Sequence, residues 1–334
     1  MTIYLAAAGA LGYAYEKIAT HFDVKNPPGE MIDVGGHKLH VQIEGKPTKG
    51  VPLVVIETGI NDSSHMWQTV RKKLAERTQV LTYDRTGYAW SEKGRGPRTF
   101  AKISQELDTI MKIKGISQQS FILVGHSLGG LIIRDYHNRC SDEVRANIKG
   151  MVFVDTIHPD LPQPKMSKIK HHIWMLGSKI WYSGACIGVA RLIIKCVKIP
   201  LFSNHADWTQ EKQRIYTKFH FGQAKSFKAC LDENASLEQS LEELKNPKPL
   251  NDIPIAVIPR DPKISMRPWA SQEELKKELL YLEETTKKLM ADSKKSSLRY
   301  AEGSGHLIHI TKPEIIVDEV TKIMDQTTTK ATTL

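Results

Sequence analysis

Short apolar runs alternate with amphipathic stretches along most of the chain, an order typical of an α/β domain. The apolar runs at residues 51–56, 80–83, 121–124, 151–155 and 253–259 predict strands buried on both faces, as in a parallel sheet. Before them, residues 30–43 alternate apolar and polar positions around a Gly-Gly pair, which predicts an antiparallel hairpin. A last strand at 297–301 completes a predicted mostly parallel sheet of eight strands, flanked by helices.

This pattern is interrupted in the middle of the chain. Residues 158–250 show no strand alternation but carry amphipathic runs, prolines and several tryptophans. We therefore predict a helical cap inserted after strand 6, between two core segments at 27–157 and 251–326. An apolar helix is predicted within residues 1–26 and a disordered tail at 327–334.

The centre of the chain carries the clearest chemical motif. The apolar run 121–124 leads into Gly125-His126-Ser127-Leu128-Gly129, and a helical apolar pattern begins at once. A strand, a sharp turn and a helix are what a nucleophile elbow requires, with Ser127 at its tip. The glycines allow the close approach of strand and helix, and the free N–H groups of the helix N-terminus suit an oxyanion.

Together with other short blocks, this motif resembles the α/β-hydrolase superfamily, in its esterase- and lipase-like branch with an inserted cap. The resemblance extends from about Gly29 to Met324. It is carried by these blocks, in this order: Pro28-Gly29-Glu30, Glu57-Thr58-Gly59, Tyr83-Asp84-Arg85-Thr86-Gly87, Gly125-His126-Ser127-Leu128-Gly129-Gly130 and Gly303-Ser304-Gly305-His306. It implies the fold and a serine nucleophile, but it does not identify the substrate.

A catalytic serine needs a base to accept its proton and an acid to orient that base. His306, in the glycine-rich loop after the last strand, is the expected base. His309 is expected to pack against the domain or to face solvent. Asp155, at the end of strand 6, and Asp261, after the next strand, both remain candidate acids. We favour Asp155, because the resembling proteins with similar blocks use the earlier position.

The same resemblance implies the oxyanion hole and its supports. The backbone N–H groups of Leu128 and Ile60 are the expected donors. Thr58 stands where the family usually has a histidine, which changes the support of that loop. Asp84 and Arg85 are expected to tie loops together beneath the site rather than to take part in the chemistry.

Composition narrows the function further. With 47 basic and 37 acidic residues the chain carries a formal charge of +10, but no nucleic-acid motif accompanies it. The four cysteines lack the spacing of metal ligands, and the proposed chemistry needs neither a metal nor an organic cofactor. The expected partner is a small-molecule ester. The sequence does not indicate an oligomeric state.

Two apolar stretches leave the location of the protein open between cytoplasm and membrane. Residues 1–15 are apolar but shorter than the roughly 20 residues that span a bilayer. Either this helix associates with a membrane or it packs on the domain. The apolar cap segment 173–202 either covers the active site or also approaches lipid.

The leading functional hypothesis is a serine hydrolase that cleaves a carboxylic ester with an apolar acyl or alcohol part. A thioesterase, an acyltransferase or a carbon–carbon hydrolase can use the same triad. A non-catalytic ligand-binding protein on this scaffold is the alternative from another class, because a fold does not decide function.

Overall fold

A computed structural model describes residues 2–161, 168–196, 209–265 and 270–332. Its sheet has eight strands in the spatial order β1-β2-β4-β3-β5-β6-β7-β8. Their bounds are β1 Glu30–Asp33, β2 Lys38–Glu44, β3 Leu53–Glu57, β4 Val80–Tyr83, β5 Phe121–His126, β6 Ile148–Val154, β7 Ile255–Ile258 and β8 Ser296–Leu298. The first two pairings are antiparallel and the others parallel, so the predicted hairpin and mostly parallel sheet are confirmed.

Helices cover both faces of this sheet and also fill the insertion after β6. The described helices are α1 Thr2–Val24, α2 Gln68–Ala75, α3 Phe100–Ile113, α4 Leu128–Arg139, α5 Asp142–Ala146, α6 Lys168–Cys186, α7 Val189–Cys196, α8 Gln210–Thr217, α9 Ala224–Glu243, α10 Gln272–Ala291, α11 Ile308–Thr311 and α12 Pro313–Thr332. A short 3₁₀ turn, Ser64–Trp67, precedes α2. None of the described helices is long and apolar enough to cross a bilayer.

The core lies on both sides of the central strands, because successive side chains of a strand point to opposite faces. In β5, Leu123 packs with α3, α4 and α10, whereas Ile122 and Val124 pack with α2 and α12. All six residues of β5 are buried. This explains why the central strands are uninterrupted apolar runs in the sequence.

The segment between β6 and β7 is the one for which we predict a cap, and in its described residues all regular structure is helical, from α6 to α9. One face of α9 is bonded to the core. Ser236 Oγ and Ser240 Oγ accept hydrogen bonds from the backbone N–H groups of Arg98 and Phe100, both at 3.1 Å. The predicted apolar segment 173–202 is described only as far as residue 196.

The predicted disordered tail at 327–334 needs a correction, because α12 continues to Thr332. The hydroxyl groups of Thr327 and Thr328 donate to the carbonyls of Ile323 and Met324, each at 2.9 Å. These bonds satisfy polar side chains within the helix, so the threonine-rich composition does not end it.

Candidate active site

Ser127 occupies the sharp turn between β5 and α4. Its backbone angles are φ 52° and ψ −121°, a conformation that non-glycine residues rarely adopt. The turn is fixed on both sides, since Ser127 N–H donates to the Val154 carbonyl at 3.0 Å and the Thr156 hydroxyl donates to the Ser127 carbonyl at 2.5 Å. Any Cβ on Gly125 or Gly129 would collide with neighbouring backbone. The geometry is that of a nucleophile elbow.

The carboxyl ends of four neighbouring parallel strands bring the other candidates to the same edge. Asp155 follows β6, Arg260 follows β7, and His306 lies in the loop after β8. His306 Nδ1 lies 2.6 Å from Asp155 Oδ2. A carboxylate can only accept, so Nδ1 carries the proton and the lone pair of the neutral imidazole is on Nε2. This is the tautomer that a general base for Ser127 requires.

Asp155 is held as an anion. Burial opposes ionisation of its carboxyl, but the hydrogen bond and charge of His306 and the charge of Arg260 outweigh it, so the pKa falls to about 2. Arg260 contributes twice, through its backbone N–H at 3.1 Å and its Nη1 at 3.2 Å. Glu278 in turn accepts from Arg260 Nη2 at 2.8 Å. The roles of Arg260 and Glu278 could not be predicted from the sequence. Arg260 meets Asp155 because β6 and β7 are neighbours in the sheet.

The other candidate acid, Asp261, has different partners. Its carboxylate accepts from the backbone N–H groups of Gly303 at 2.8 Å and Lys263 at 2.9 Å. The hydrogen bond from Gly303 in particular lowers the pKa of Asp261. Asp261 therefore shapes the loop that carries His306, while Asp155 is the carboxylate bonded to the imidazole.

Ser127 and His306 make no direct hydrogen bond in the described structure. Among the described residues, neither Ser127 Oγ nor His306 Nε2 has a hydrogen-bond partner. His126 links the two segments, because its Nε2–H donates to the His306 carbonyl at 2.9 Å and the two rings lie 4.6 Å apart. Catalytic hydrogen bonds are often loose without substrate and tighten in the reacting complex.

The expected oxyanion donors lie beside the elbow. Within the described part of the chain, the backbone N–H groups of Leu128 and Ile60 have no acceptor. A Cβ built on Gly59 would lie 3.4 Å from Ser127 Cβ, so the loop that carries Ile60 runs directly against the nucleophile. Both N–H groups are thus free and flank the elbow loop.

Arg85 supports this loop from below and is fully buried. Its guanidinium donates to the carbonyls of Thr58 at 2.7 Å and Gly59 at 2.8 Å. It also binds two buried carboxylates, Glu57 at 2.7 Å and Glu233 at 2.8 Å. The loop that lacks the family's usual histidine is therefore held through its backbone carbonyls. Glu233, far along the chain in the cap, could not be identified from the sequence.

The partners of Asp84 give it a structural role. Its carboxylate is bonded to His40 Nδ1 at 2.8 Å and accepts from Ser64 N–H at 2.7 Å. Burial is the largest single influence on the Asp84 carboxyl and acts to raise its pKa. The hydrogen bond and the charge of His40 act in the opposite direction, and the net effect is a lowered pKa of Asp84. Asp84 thus joins the hairpin to the turn before α2, in line with the role expected for it.

Beneath the elbow, Asp62, His126 and His309 bring one oxygen and two nitrogens within 4.8 Å of one another. Such donors can bind zinc. However, Asp62 already accepts from Trp67 Nε1 at 3.0 Å and Ser63 N–H at 2.7 Å. Burial lowers the pKa of His126 to about 3 and that of His309 well below its usual value, so both are neutral.

His309 is therefore neither exposed nor part of the base. It is buried, and its ring stacks on Trp67 at 4.6 Å with an angle of 4° between the rings. Since His126 Nε2 is committed to the His306 carbonyl, we interpret this cluster as the support of the elbow. His309 and Asp62 are far apart in the sequence, so their contact could not be predicted from it.

Comparison with known proteins agrees with the fold. Residues 52–176 match the family model described as the alpha/beta hydrolase fold. The chain has the α/β-hydrolase fold.

Individual relatives are distant. An AB hydrolase superfamily protein of Gibberella zeae is 23% identical over 311 residues, which cover 86% of this chain and 91% of that protein. The "Probable transporter efuK" of Hormonema carpetanum is 25% identical over 315 residues, or 89% of this chain. This chain spans 42% of the length of that relative.

Among solved structures, an esterase from Exiguobacterium antarcticum superposes with a TM-score of 0.62. The match covers 89% of this chain and 99% of the esterase, at 14% identity. At this identity the likeness concerns the fold.

Proposed function

We propose that the protein is a serine hydrolase that cleaves carboxylic esters through Ser127, His306 and Asp155. The observation that carries this proposal is the 2.6 Å hydrogen bond from His306 Nδ1 to Asp155, which leaves Nε2 as a base at the edge where Ser127 sits. Asp155 was preferred to Asp261 on the sequence, and the partners of the two carboxylates support that preference.

The proposed reaction follows from these positions. Ser127 Oγ attacks the acyl carbon while His306 Nε2 takes its proton, and the imidazolium is stabilised by Asp155. The N–H groups of Leu128 and Ile60 stabilise the oxyanion. His306 then protonates the leaving alcohol, and a water molecule activated by His306 releases the acid from the acyl-enzyme.

The surroundings of the oxyanion donors favour a substrate with an apolar part. The side chains of Leu128 and Ile60 belong to one apolar cluster with Phe100, which also includes Leu237 and Leu241 of the cap helix α9. Core and cap thus contribute apolar side chains to one cluster next to the elbow. Apolar surface of this kind suits an acyl chain or an apolar alcohol. The esterase fold neighbour supports the same class.

Labelling with a fluorophosphonate probe tests this function directly. We expect one modified peptide, with the label on Ser127, and loss of ester turnover by at least about a thousandfold in Ser127→Ala. Ser183→Ala is the matched control. This exposed cap serine donates only to the Lys179 carbonyl, and its loss should leave both labelling and turnover unchanged.

A panel of p-nitrophenyl esters of increasing acyl length then tests the substrate class. We expect kcat/KM to rise with the first added methylene groups. Folded protein without labelling at Ser127 would contradict the proposal and indicate a ligand-binding role instead. Labelling without turnover of any oxygen ester, but with turnover of thioesters, would reassign the reaction to the thioesterase alternative.

A further inference from the structure

The N-terminal helix α1 has its apolar side chains on the outside. Leu11, Tyr15, Ile18 and Phe22 are spaced so that they lie on one face of the helix. They are exposed by 73%, 41%, 59% and 64%. In a helix that packs on a water-soluble domain, this face is expected to point inward.

The opposite face of α1 is polar and faces the cap. Glu16 and Asp23 both bind Arg191 of α7, at 2.5 Å and 2.6 Å, and Thr20 accepts from the same guanidinium at 3.0 Å. Gly12 lies so close to the Ile187 carbonyl that a Cβ would collide with it. The helix is therefore fixed to the cap by charges and close backbone contact, with its apolar face left outside.

The two cap helices next to α1 show the same inversion. In α6, Ile173, Leu176 and Ile180 are exposed by 66%, 58% and 65%, whereas Ser178 is buried. In α7, Arg191 and Ala190 are buried, whereas Leu192 and Ile193 are exposed. Helices α1, α6 and α7 are in contact with one another, so their outward residues belong to one outer layer.

We name this layer the α1–cap face. It comprises Leu11, Tyr15, Ile18, Phe22, Ile173, Leu176, Ile180, Ile187, Val189, Leu192 and Ile193. These are eleven of the seventeen large apolar side chains that stand out as exposed in the described part of the chain. Scattered apolar residues are normal on a surface, but such a concentration marks an interaction site.

The charges of this face identify what it binds. The acidic residues of α1, α6 and α7 are Glu16 and Asp23. Arg191 pairs with both, and Lys218 lies 3.5 Å from Asp23 as a second cation. The exposed charged side chains of the described parts of these helices are Lys17, Lys179 and Lys195. An apolar face bordered by lysines matches the interface of a bilayer that contains anionic lipids. A second copy of the same face would bring like charges together.

We infer that the α1–cap face docks the protein on the surface of anionic phospholipid bilayers. Since no described helix can span a bilayer, the three helices lie in the interface, with their apolar side chains among the acyl chains and the lysines at the headgroups. This role goes beyond the proposed function, because it does not depend on Ser127. It places a cap that contacts the candidate active site at a lipid surface.

Flotation with lipid vesicles tests this inference on the full chain. We expect the protein to float with phosphatidylcholine vesicles that contain phosphatidylglycerol, and much less with pure phosphatidylcholine. Two double variants, Ile18→Glu with Phe22→Glu and Leu176→Glu with Ile180→Glu, should each weaken binding by about tenfold or more. Replacing the three exposed lysines by glutamines should lower binding to anionic vesicles by about a hundredfold and leave the weak binding to neutral vesicles unchanged.

The control introduces two glutamates at exposed apolar positions outside the α1–cap face. Leu279→Glu with Leu280→Glu alters two exposed leucines of α10 and should float like the wild type. Ser127→Ala should also float, and the face variants should still fold and bind the fluorophosphonate probe, which separates this inference from the proposed function.

Three outcomes would overturn the inference. The wild type could remain with the unbound fraction in the presence of both kinds of vesicle. The face variants could float as well as the control. Sedimentation equilibrium could instead show a dimer that the face variants abolish without vesicle binding, which would make a second copy the occupant of the face.

Discussion

Arg85 and Glu233 join the loop beneath the oxyanion donors to the cap, through a buried ion pair of 2.8 Å between Nε and Oε1 and a second bond of 3.0 Å. The same guanidinium holds the carbonyls of Thr58 and Gly59. Tyr88 donates its hydroxyl to Glu233 at 2.9 Å. These groups are buried, and Glu233 belongs to the cap. The position of the loop therefore depends on the cap being in place.

Glu233→Gln should therefore affect both stability and turnover. Arg85 keeps the carboxylate of Glu57 as its partner, so the variant loses the charge-assisted hydrogen bonds to Glu233, and hydrogen bonds to charged groups typically contribute about 1.5–3 kcal/mol. We expect a loss of this size in the free energy of unfolding, measured with urea, and a lower kcat for an ester substrate as the oxyanion loop shifts.

Glu238→Gln is the matched control, because Glu238 lies on the exposed side of the same helix. Its stability should stay within about 0.5 kcal/mol of the wild type. A Glu233→Gln protein as stable and as active as this control would contradict the role given to the ion pair.

The pair of candidate acids gives a second prediction. Asp155→Asn should lower kcat by about 10²–10⁴-fold, because an amide can stabilise the wrong tautomer of His306 and cannot stabilise the imidazolium. Asp261→Asn should change kcat by less than about threefold, since the side-chain carbonyl of asparagine can still accept from Gly303 N–H. Single-turnover measurements with a p-nitrophenyl ester separate this chemical step from binding.

Urea unfolding, which does not depend on the reactivity of Ser127, serves as the folding control for both variants. If Asp261→Asn lost the activity and Asp155→Asn kept it, the acid of the proposed triad would have to be reassigned. Equal and small effects in both variants would remove the orienting carboxylate from the mechanism altogether.

Local patterns in the sequence predicted the elements that depend on local physics. The Gly-Gly hairpin and the elbow at Ser127 are both present in the structure. Each is determined by the propensity of a few consecutive residues. The resemblance led to the preference for Asp155 as the acid.

Contacts between distant parts of the chain could not be predicted in the same way. Arg85 and Glu233 are 148 positions apart, and Glu16 and Arg191 are 175 apart. No periodicity links such residues, since they meet only when the cap and α1 pack on the core. Apolar periodicity also suggested that α1 either packs inward or binds a membrane, and only the position of Arg191 shows which face is turned outward.

The buried carboxyl of Asp62 leads to a prediction about pH. Burial raises its pKa from 3.8 to about 6, although Trp67 and Ser63 donate hydrogen bonds to it. Between pH 3.8 and about pH 6, the Asp62 carboxyl keeps its proton in the folded protein and releases it in the unfolded chain. By linkage, the contribution of Asp62 to stability is greatest below about pH 4 and is lost as pH rises towards 6.

Asp62→Asn removes this titration, so the difference in free energy of unfolding between wild type and variant should change systematically with pH. Relative to the variant, the wild type should lose about 3 kcal/mol of stability between pH 4 and pH 7, as a shift of two pKa units implies. Urea unfolding at intervals across this range measures it. Asp261→Asn gives a control of opposite sign, because the lowered pKa of the exposed Asp261 favours the wild type as pH rises. Parallel stability curves for wild type and Asp62→Asn would show that Asp62 is charged in the folded protein, and its two donors would then outweigh the cost of burial.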